Sequence, residues 1–385
     1  MIAPGAVLGV LGGGQLGAMF AAAARRMGYD IAVWDPDSDA PAHRLAQHSF
    51  TRPFTDQSAF DEFSTRVSVV TYEWENVPSS LCRELEQRKP VRPSSGILRL
   101  IQNRINQKSY LSAQGFGVPP FCPVSTIDQL GRAIEQVGYP VVCKTATAGY
   151  DGKGQWKAKN EAELSDVRKA MVESIARGTS WIVESLVPFQ RELSVLVARG
   201  GDGISVIYPI AENEHDDGIL RMTIVPANIA SPLAEGAGKL ARQVIERLDG
   251  IGVFCVELFL LPDGELLINE IAPRPHNSAH YTLDACSVSQ FEQQVRAICG
   301  LPLGEVRLFS SAAMINLIGN DAIKVTDREE CRALLAIPGA KLHLYGKRTV
   351  RPRRKMGHVT FLASDANTAR KQANELCDRL ANTDL

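Results

Sequence analysis

An α/β segment followed by an α+β body is the fold class that the sequence predicts, and three observations predict it. Short apolar strands alternate with helical stretches over the first ~95 residues, the order that gives parallel strands with crossover helices. Paired strands with hairpin turns take over from residue 139 to about 272. A last stretch, from about 301, mixes short strands with one closing helix. At 385 residues the chain is long enough for two or three compact domains.

Taken in order, Val7–Leu11 is an apolar strand, and Gly12-Gly13-Gly14 opens an Ala-rich helix that Gly28 stops. Strands follow at 31–34, ended by Asp35-Pro36, and at 67–72, ended by Glu73-Trp74-Glu75-Asn76. Pro90, Pro93 and Gly96 mark a boundary. Apolar spacing predicts one amphipathic helix over 97–113, closed by Gly115-Phe116-Gly117-Val118-Pro119-Pro120. Val141-Val142-Cys143-Lys144 reads as a buried strand, with further strands at 181–187 and 191–197. Helices interrupt at 161–176 and 233–248, and a helix at 366–380 closes the chain.

Composition narrows the function. Hydrophobic residues at 45% and charged residues at 22% are ordinary for a globular protein. A formal net charge of −1 provides no global field for nucleic acid or an anionic membrane, so neither is an expected partner. Eight cysteines without a CxxC pair suit neither a disulfide framework nor a zinc site. With no leader-like start and no apolar run near ~20 residues, a soluble cytoplasmic protein is expected.

Five motifs carry chemistry. Gly12, Gly14 and Gly17 satisfy G-x-G-x-x-G between a strand and a helix, with Asp35 ending the next strand. A nicotinamide-dependent dehydrogenase and a phosphate-approaching turn for another ligand are both open readings. The run Thr145-Ala146-Thr147-Ala148-Gly149-Tyr150-Asp151-Gly152-Lys153-Gly154-Gln155 has free backbone N–H groups to wrap an anion, with Lys144 and Lys153 as point charges. A plain hairpin turn is its bland alternative. Glu184 and Glu192 lie on strands, where a carboxylate is most often solvated.

The fourth motif is the hairpin over 253–270. Reading Asp263-Gly264 as a two-residue turn pairs Pro262 with Glu265 and sets Glu257 across from Glu270. Facing carboxylates repel, and a divalent cation between them removes the conflict, with Asn269 as a further oxygen donor. Pro273-Arg274-Pro275 then holds a guanidinium at the metal end, suited to a phosphoryl group or a carboxylate. His276 and His280, four apart but without a helix, read as polar lining of the site. The fifth motif is Lys347-Arg348-Thr349-Val350-Arg351-Pro352-Arg353-Arg354-Lys355, six basic residues in nine positions. Its compactness suits one phosphate monoester better than a nucleic-acid strand, with a solvated basic strand as the alternative.

Together these stretches resemble the ATP-grasp superfamily over nearly the whole chain and, within it, the 5-(carboxyamino)imidazole ribonucleotide synthetases. The resemblance rests on Gly12-Gly13-Gly14-Gln15-Leu16-Gly17, on Thr71-Tyr72-Glu73-Trp74-Glu75-Asn76-Val77, on 149–155, on 269–278 and on 351–358. It implies a Rossmann-like domain over 1–100, a central ATP-grasp domain over 101–300 and a small β-rich domain over 301–385. It also implies ATP as co-substrate, Mg²⁺ or Mn²⁺ as cofactor, and a homodimer. The reaction it implies runs through carboxyphosphate, made from bicarbonate, to carboxylation of the exocyclic amine of aminoimidazole ribonucleotide. A formate-dependent glycinamide ribonucleotide transformylase is the nearest rival.

Carried over by position, the resemblance gives ATP to Arg104, Lys144, Gly149, Tyr150, Asp151, Gly152, Lys153, Gly154, Gln155, Glu184, Ser185, Leu186, Val187, Glu192, His215, Asn269 and Glu270. It gives the metal to Glu257, Glu270 and Asn269, and catalysis to Arg274, Lys144 and Glu270. For the ribonucleotide it points to Gln15, Leu16, Glu73, Tyr150, Asn277, Lys347 and Arg354.

Overall fold

The computed structural model describes residues 1–149 and 153–382; Tyr150, Asp151 and Gly152 of the glycine loop lie outside the described residues. The first sheet holds β1 (Val7–Leu11), β2 (Asp30–Trp34), β3 (His48–Phe50) and β4 (Val69–Tyr72). All are parallel, in the order β3-β2-β1-β4. Strands buried on both faces are apolar throughout, and the alternation of side chains divides them between two cores. Trp34 and Tyr72 pack with Phe50 and Phe63 on one side. Leu8, Val10 and Ile31 pack under helix Gln15–Arg26 on the other.

That second face is shared with helix Gln290–Cys299, which supplies Phe291, Val295 and Ile298 to the same core. Ile2 N–H donates to Cys299 O at 2.7 Å. A helix placed by sequence in the middle domain therefore closes the first one.

The second sheet is antiparallel, β5 (Phe121–Val124), β6 (Val141–Thr145), β7 (Gln155–Ala158) and β8 (Trp181–Ser185), in the order β5-β8-β6-β7. Helices Gln129–Val137 and Leu164–Ile175 cover one face through Leu130, Ile134 and Met171 against Trp181. The third sheet holds β9 (Arg191–Arg199), β10 (Ser205–Ile207), β11 (Ala211–Asp216), β12 (Ile219–Val225), β13 (Gly252–Leu260), β14 (Leu266–Ala272), β15 (Ser311–Ile318), β16 (Ala340–Leu344) and β17 (Lys355–Ala363). Its order is β14-β13-β9-β11-β12-β15-β17-β16, with β10 on β9. Because β15 pairs with β12, the last section of chain extends the central sheet rather than forming an island. No helix among the described residues is long and apolar enough to cross a membrane.

Two local expectations change. The helix expected over 97–113 is two helices, Ser95–Ile101 and Arg104–Ala113. Asn103 breaks it: its side chain accepts from the N–H groups of Ile105 and Asn106, capping the second helix while its own backbone is extended. Apolar periodicity runs through the break and hides it.

The hairpin β13–β14 reaches the expected pairing by a different route. Leu261 N–H donates to Glu265 O at 2.9 Å and Gly264 N–H to Leu261 O at 3.0 Å, so the loop is one residue longer than an Asp-Gly turn. Gly264, at φ +90°, takes the left-handed position that this loop requires. That register alone would set Asn269 against Glu257. A bulge after Glu257 then absorbs Asn269 and restores Glu257 opposite Glu270.

Replacing Asn103 with Ala is expected to cost about 1 kcal/mol of stability, read as an earlier transition in urea, with Asn103→Asp close to the parent. An Asn103→Ala protein of unchanged stability would mean that the cap does not hold the break.

Candidate active site

The glycine turn after β1 is already occupied, by the protein itself. Gly14 N–H donates to Glu73 Oε1 at 2.6 Å and Gly17 N–H to Glu73 Oε2 at 2.9 Å. Gly13 N–H donates to Asp35 Oδ2 at 2.6 Å. The helix N-terminus that would attract a pyrophosphate thus holds a carboxylate delivered by the loop after β4. Glycine is needed here for close approach, since a Cβ at Gly14 would collide with that carboxylate. Burial pushes the Glu73 carboxyl up, against the pull of the Gly17 and Gly14 N–H groups. Gln15 begins the helix, and Leu16, 8% exposed, turns its side chain into the core, leaving backbone for a ligand.

A second constellation lies between the small antiparallel sheet and β13–β14. Lys144 on β6 places Nζ 2.8 Å from Glu184 Oε2 on the central strand β8. Glu184 is 2% exposed, so the solvated fate common for strand carboxylates does not apply. Burial raises its pKa, but Lys108 and Lys144 overcome this and hold it at about 2. Past Glu184 the chain leaves the sheet through Ser185, Leu186 and Val187, with Leu186 N–H on Pro140 O at 2.9 Å. Arg104 grips the base of the glycine loop, donating to Thr145 O at 3.2 Å and Gly149 O at 2.9 Å. Lys153 and Gly154 lead from that loop into β7, which Gln155 begins. On β9, Glu192 accepts from the His215 ring of β11. Burial would lower the His215 pKa, yet the Glu192 contact raises it.

Glu257 and Glu270 stand opposite each other on β13 and β14. The bulge brings Asn269 to the same face, where its Nδ2 reaches Glu257 Oε2 at 3.4 Å. His276 Nε2 lies 3.3 Å from Glu257 Oε1. Burial, then Glu270, pushes Glu257 up to about 8. Among the described residues no three His, Cys, Asp or Glu side chains form a metal cage. Two carboxylates and an amide nonetheless fit a hard cation that shares its remaining positions with phosphate and water.

From β14 the chain runs on through Arg274, whose Nη2 pairs with Glu75 Oε1 at 2.8 Å. This contact joins the hairpin to the loop that carries Glu73. His276 N–H donates to Gln290 Oε1 at 2.7 Å, and Gln290 Nε2 donates to His276 O at 2.8 Å, clamping the strap. Asn277 is buried in a reciprocal amide pair with Asn316, at 2.9 and 2.7 Å. His280, expected to line the site, lies wholly buried beside His358, ring centroids 5.0 Å apart.

The basic segment spans two neighbours. Arg348 pairs with Asp39 of the first domain at 2.7 Å, and Arg353 pairs with Asp217 at the β11–β12 turn. Between them Lys347 lies over the Tyr345 ring and donates to Lys355 O at 2.7 Å, while Arg354 donates to Thr349 O at 2.8 Å. A surface cavity of about 520 Å³ beside Arg351 and Arg353 shares none of the other site residues.

Sequence reasoning missed Lys108, Gln107, Glu75 and Gln290. For Lys108 a signal existed. Ile97, Ile101, Arg104, Lys108 and Leu111 follow the core-facing spacing, so two of five positions on that stripe are cations, of which Lys108 is the buried one.

A family model for the ribonucleotide synthetase preATP-grasp domain matches residues 6–102. One for the ATP-grasp domain matches 109–291, and one for the phosphoribosylaminoimidazole carboxylase C-terminal domain matches 312–372. The N5-carboxyaminoimidazole ribonucleotide synthase of Bacillus subtilis is 41% identical over 94% of this chain and 93% of its own. A solved ADP complex of an N5-carboxyaminoimidazole ribonucleotide synthetase superposes with a TM-score of 0.93 at 40% identity, covering 99% of both chains. The Aspergillus clavatus enzyme, solved with ADP and 5-aminoimidazole ribonucleotide, gives 0.86 at 31% identity over 98% and 99%. With its three segments matched in order and its length shared almost end to end, the chain belongs to the N5-carboxyaminoimidazole ribonucleotide synthase family of ATP-grasp ligases.

Proposed function

We propose that this chain uses ATP and bicarbonate to carboxylate the exocyclic amine of 5-aminoimidazole ribonucleotide, a step of purine biosynthesis. The Arg274–Glu75 contact carries the reading. It sets a guanidinium between the paired carboxylates of the ATP side and the loop of the ribonucleotide side. A cytoplasmic homodimer is the setting that the family resemblance supports.

ATP lies in the cleft between the small sheet and β13–β14. Lys144, Arg104 and the loop 149–155, including Tyr150, Asp151, Gly152, Lys153, Gly154 and Gln155, take its phosphates. Glu184, Ser185, Leu186 and Val187 flank adenine, and Glu192 and His215 flank the ribose. Glu257, Glu270 and Asn269 would hold Mg²⁺ or Mn²⁺, which when bound neutralises charge on the phosphates. A bicarbonate oxygen attacks the γ-phosphorus and the bond to ADP breaks, giving carboxyphosphate. Arg274 holds that dianionic intermediate by paired N–H donation. Carboxyphosphate releases phosphate and CO₂, and the amine attacks the CO₂ carbon to form the C–N bond, its proton passing to the released phosphate. Gln15, Leu16, Glu73 and Tyr150 orient the ribonucleotide, and Lys347 and Arg354 take its phosphate. Asn277 acts from beneath, through the strap that it anchors.

ADP formation is expected to need both bicarbonate and aminoimidazole ribonucleotide for full rate. Strong stimulation by formate with glycinamide ribonucleotide instead would assign the transformylase reaction. Glu270→Gln keeps shape and removes one charge, and should lower turnover by orders of magnitude in a folded protein. Near-normal turnover would place the phosphoryl end elsewhere. Removing Lys347 or Arg354 with Ala deletes a charge-assisted contact worth roughly 1.5–3 kcal/mol, about ten- to a hundred-fold in affinity. The loss is expected in the KM for aminoimidazole ribonucleotide, with the KM for ATP nearly unchanged. An effect on ATP alone would refute the phosphate assignment.

A further inference from the structure

Lys108 is 2% exposed, on the inner face of helix Arg104–Ala113. Its Nζ lies 3.5 Å from Glu184 Oε2, the same oxygen that Lys144 contacts at 2.8 Å. It also donates to the carbonyl of Asn269 at 3.1 Å. One residue earlier on the helix, Gln107 Oε1 accepts from Ile271 N–H at 3.0 Å. Since β14 is an edge strand, its outward backbone groups have no partner strand. Gln107 and Lys108 supply partners on both sides of Glu270. A lysine is almost never buried so fully unless it is paired, and here its partner is a carboxylate that Lys144 already contacts.

We infer that Lys108 is a positioning residue that frees the charge of Lys144 for the nucleotide phosphates and fixes the strand that bears Glu270. This rests on ATP occupying the cleft beside Lys144. The charge count gives the reason. Glu184 contributes −1, and Lys144 and Lys108 each +1, so the trio offers one net positive charge to an anion. Without Lys108 the trio's sum is zero, and Lys144 is left as the one ammonium in contact with the buried carboxylate. The backbone contact to Asn269 works at the other end of the same ligand. It ties the carboxylate beside the adenine segment to the strand of the paired carboxylates, so both ends of ATP are referenced to one ammonium.

The test uses the full-length protein with Lys108→Met, nearly isosteric and uncharged, and calorimetric binding of ADP and of adenosine. ADP affinity is expected to fall about tenfold or more, while adenosine, which lacks phosphate, changes less than twofold. Lys108→Arg, which restores the charge, should recover most of the ADP affinity. The KM for aminoimidazole ribonucleotide should stay within about twofold of the parent. A purely structural lysine would instead lower the melting temperature and weaken ADP and adenosine together, and that result overturns the inference. So does a folded Lys108→Met protein that binds ADP as the parent does. Should Lys108→Met fail to fold, Lys108→Gln, polar and uncharged, is read by the same criteria. Lys144→Met tests the underlying site: if it leaves ADP binding unchanged, the ATP assignment fails, whatever Lys108 does.

Discussion

Glu257 and Glu270 face each other across two strands in a half-buried position, and much of the surrounding structure answers that repulsion. Two unit charges about 4 Å apart interact by roughly 4 kcal/mol at an effective dielectric of ~20. An exposed salt bridge returns ~1 kcal/mol at most, so ordinary surface pairing does not offset it. Burial first and then Glu270 push Glu257 up to about 8, so the pair meets part of the conflict by holding a proton. His276 and Asn269 supply polar contact without a full positive charge. Burial and then Arg274 hold His276 well below its usual range, which keeps it neutral. A pair so arranged favours the approach of a positive charge.

The glycine turn shows the opposite solution. There the potential anion site is satisfied internally, because Glu73 takes the two N–H groups and Asp35 a third. Filling the helix N-terminus with a carboxylate turns a cofactor-binding device into a rigid joint, and the joint fixes the loop bearing Glu75. Arg274 is held by that loop. One carboxylate used as a helix cap therefore sets where a guanidinium of another domain can stand.

How much of this was legible follows from the range of each interaction. β1, β2 and the closing helix were readable because their apolar patterns are local. The Glu257–Glu270 pairing was readable only through two compensating features, a longer loop and a bulge, neither signalled by hydropathy. The break at Asn103 was hidden because apolar spacing continues through it. Lys108 was overlooked because charge suggests solvent, although its place in the periodicity pointed inward. Gln290 had no signal at all: its role depends on a strap and a helix that only folding brings together. The packing of helix Gln290–Cys299 was hidden for a related reason, since it is contiguous with the middle of the chain but shares its core with the first sheet.

That helix also joins the first sheet to the third. Gln294 Oε1 accepts from Val253 N–H at 2.6 Å, while its Nε2 donates to Thr71 Oγ1 at 2.9 Å. One buried side chain thus ties β13, which leads to Glu257, to β4, which leads to Glu73. Gln290, one turn earlier, clamps the strap between Arg274 and Asn277. Buried amides hold geometry because each group left unmade costs about 1–3 kcal/mol. A carboxylated phosphate is useful only if the amine waits within reach when it breaks down, and loose hinges between the domains would lose it to water. Two glutamines on one helix, rather than flexible linkers, set the distance between the strand of Glu257 and the loop of Glu73.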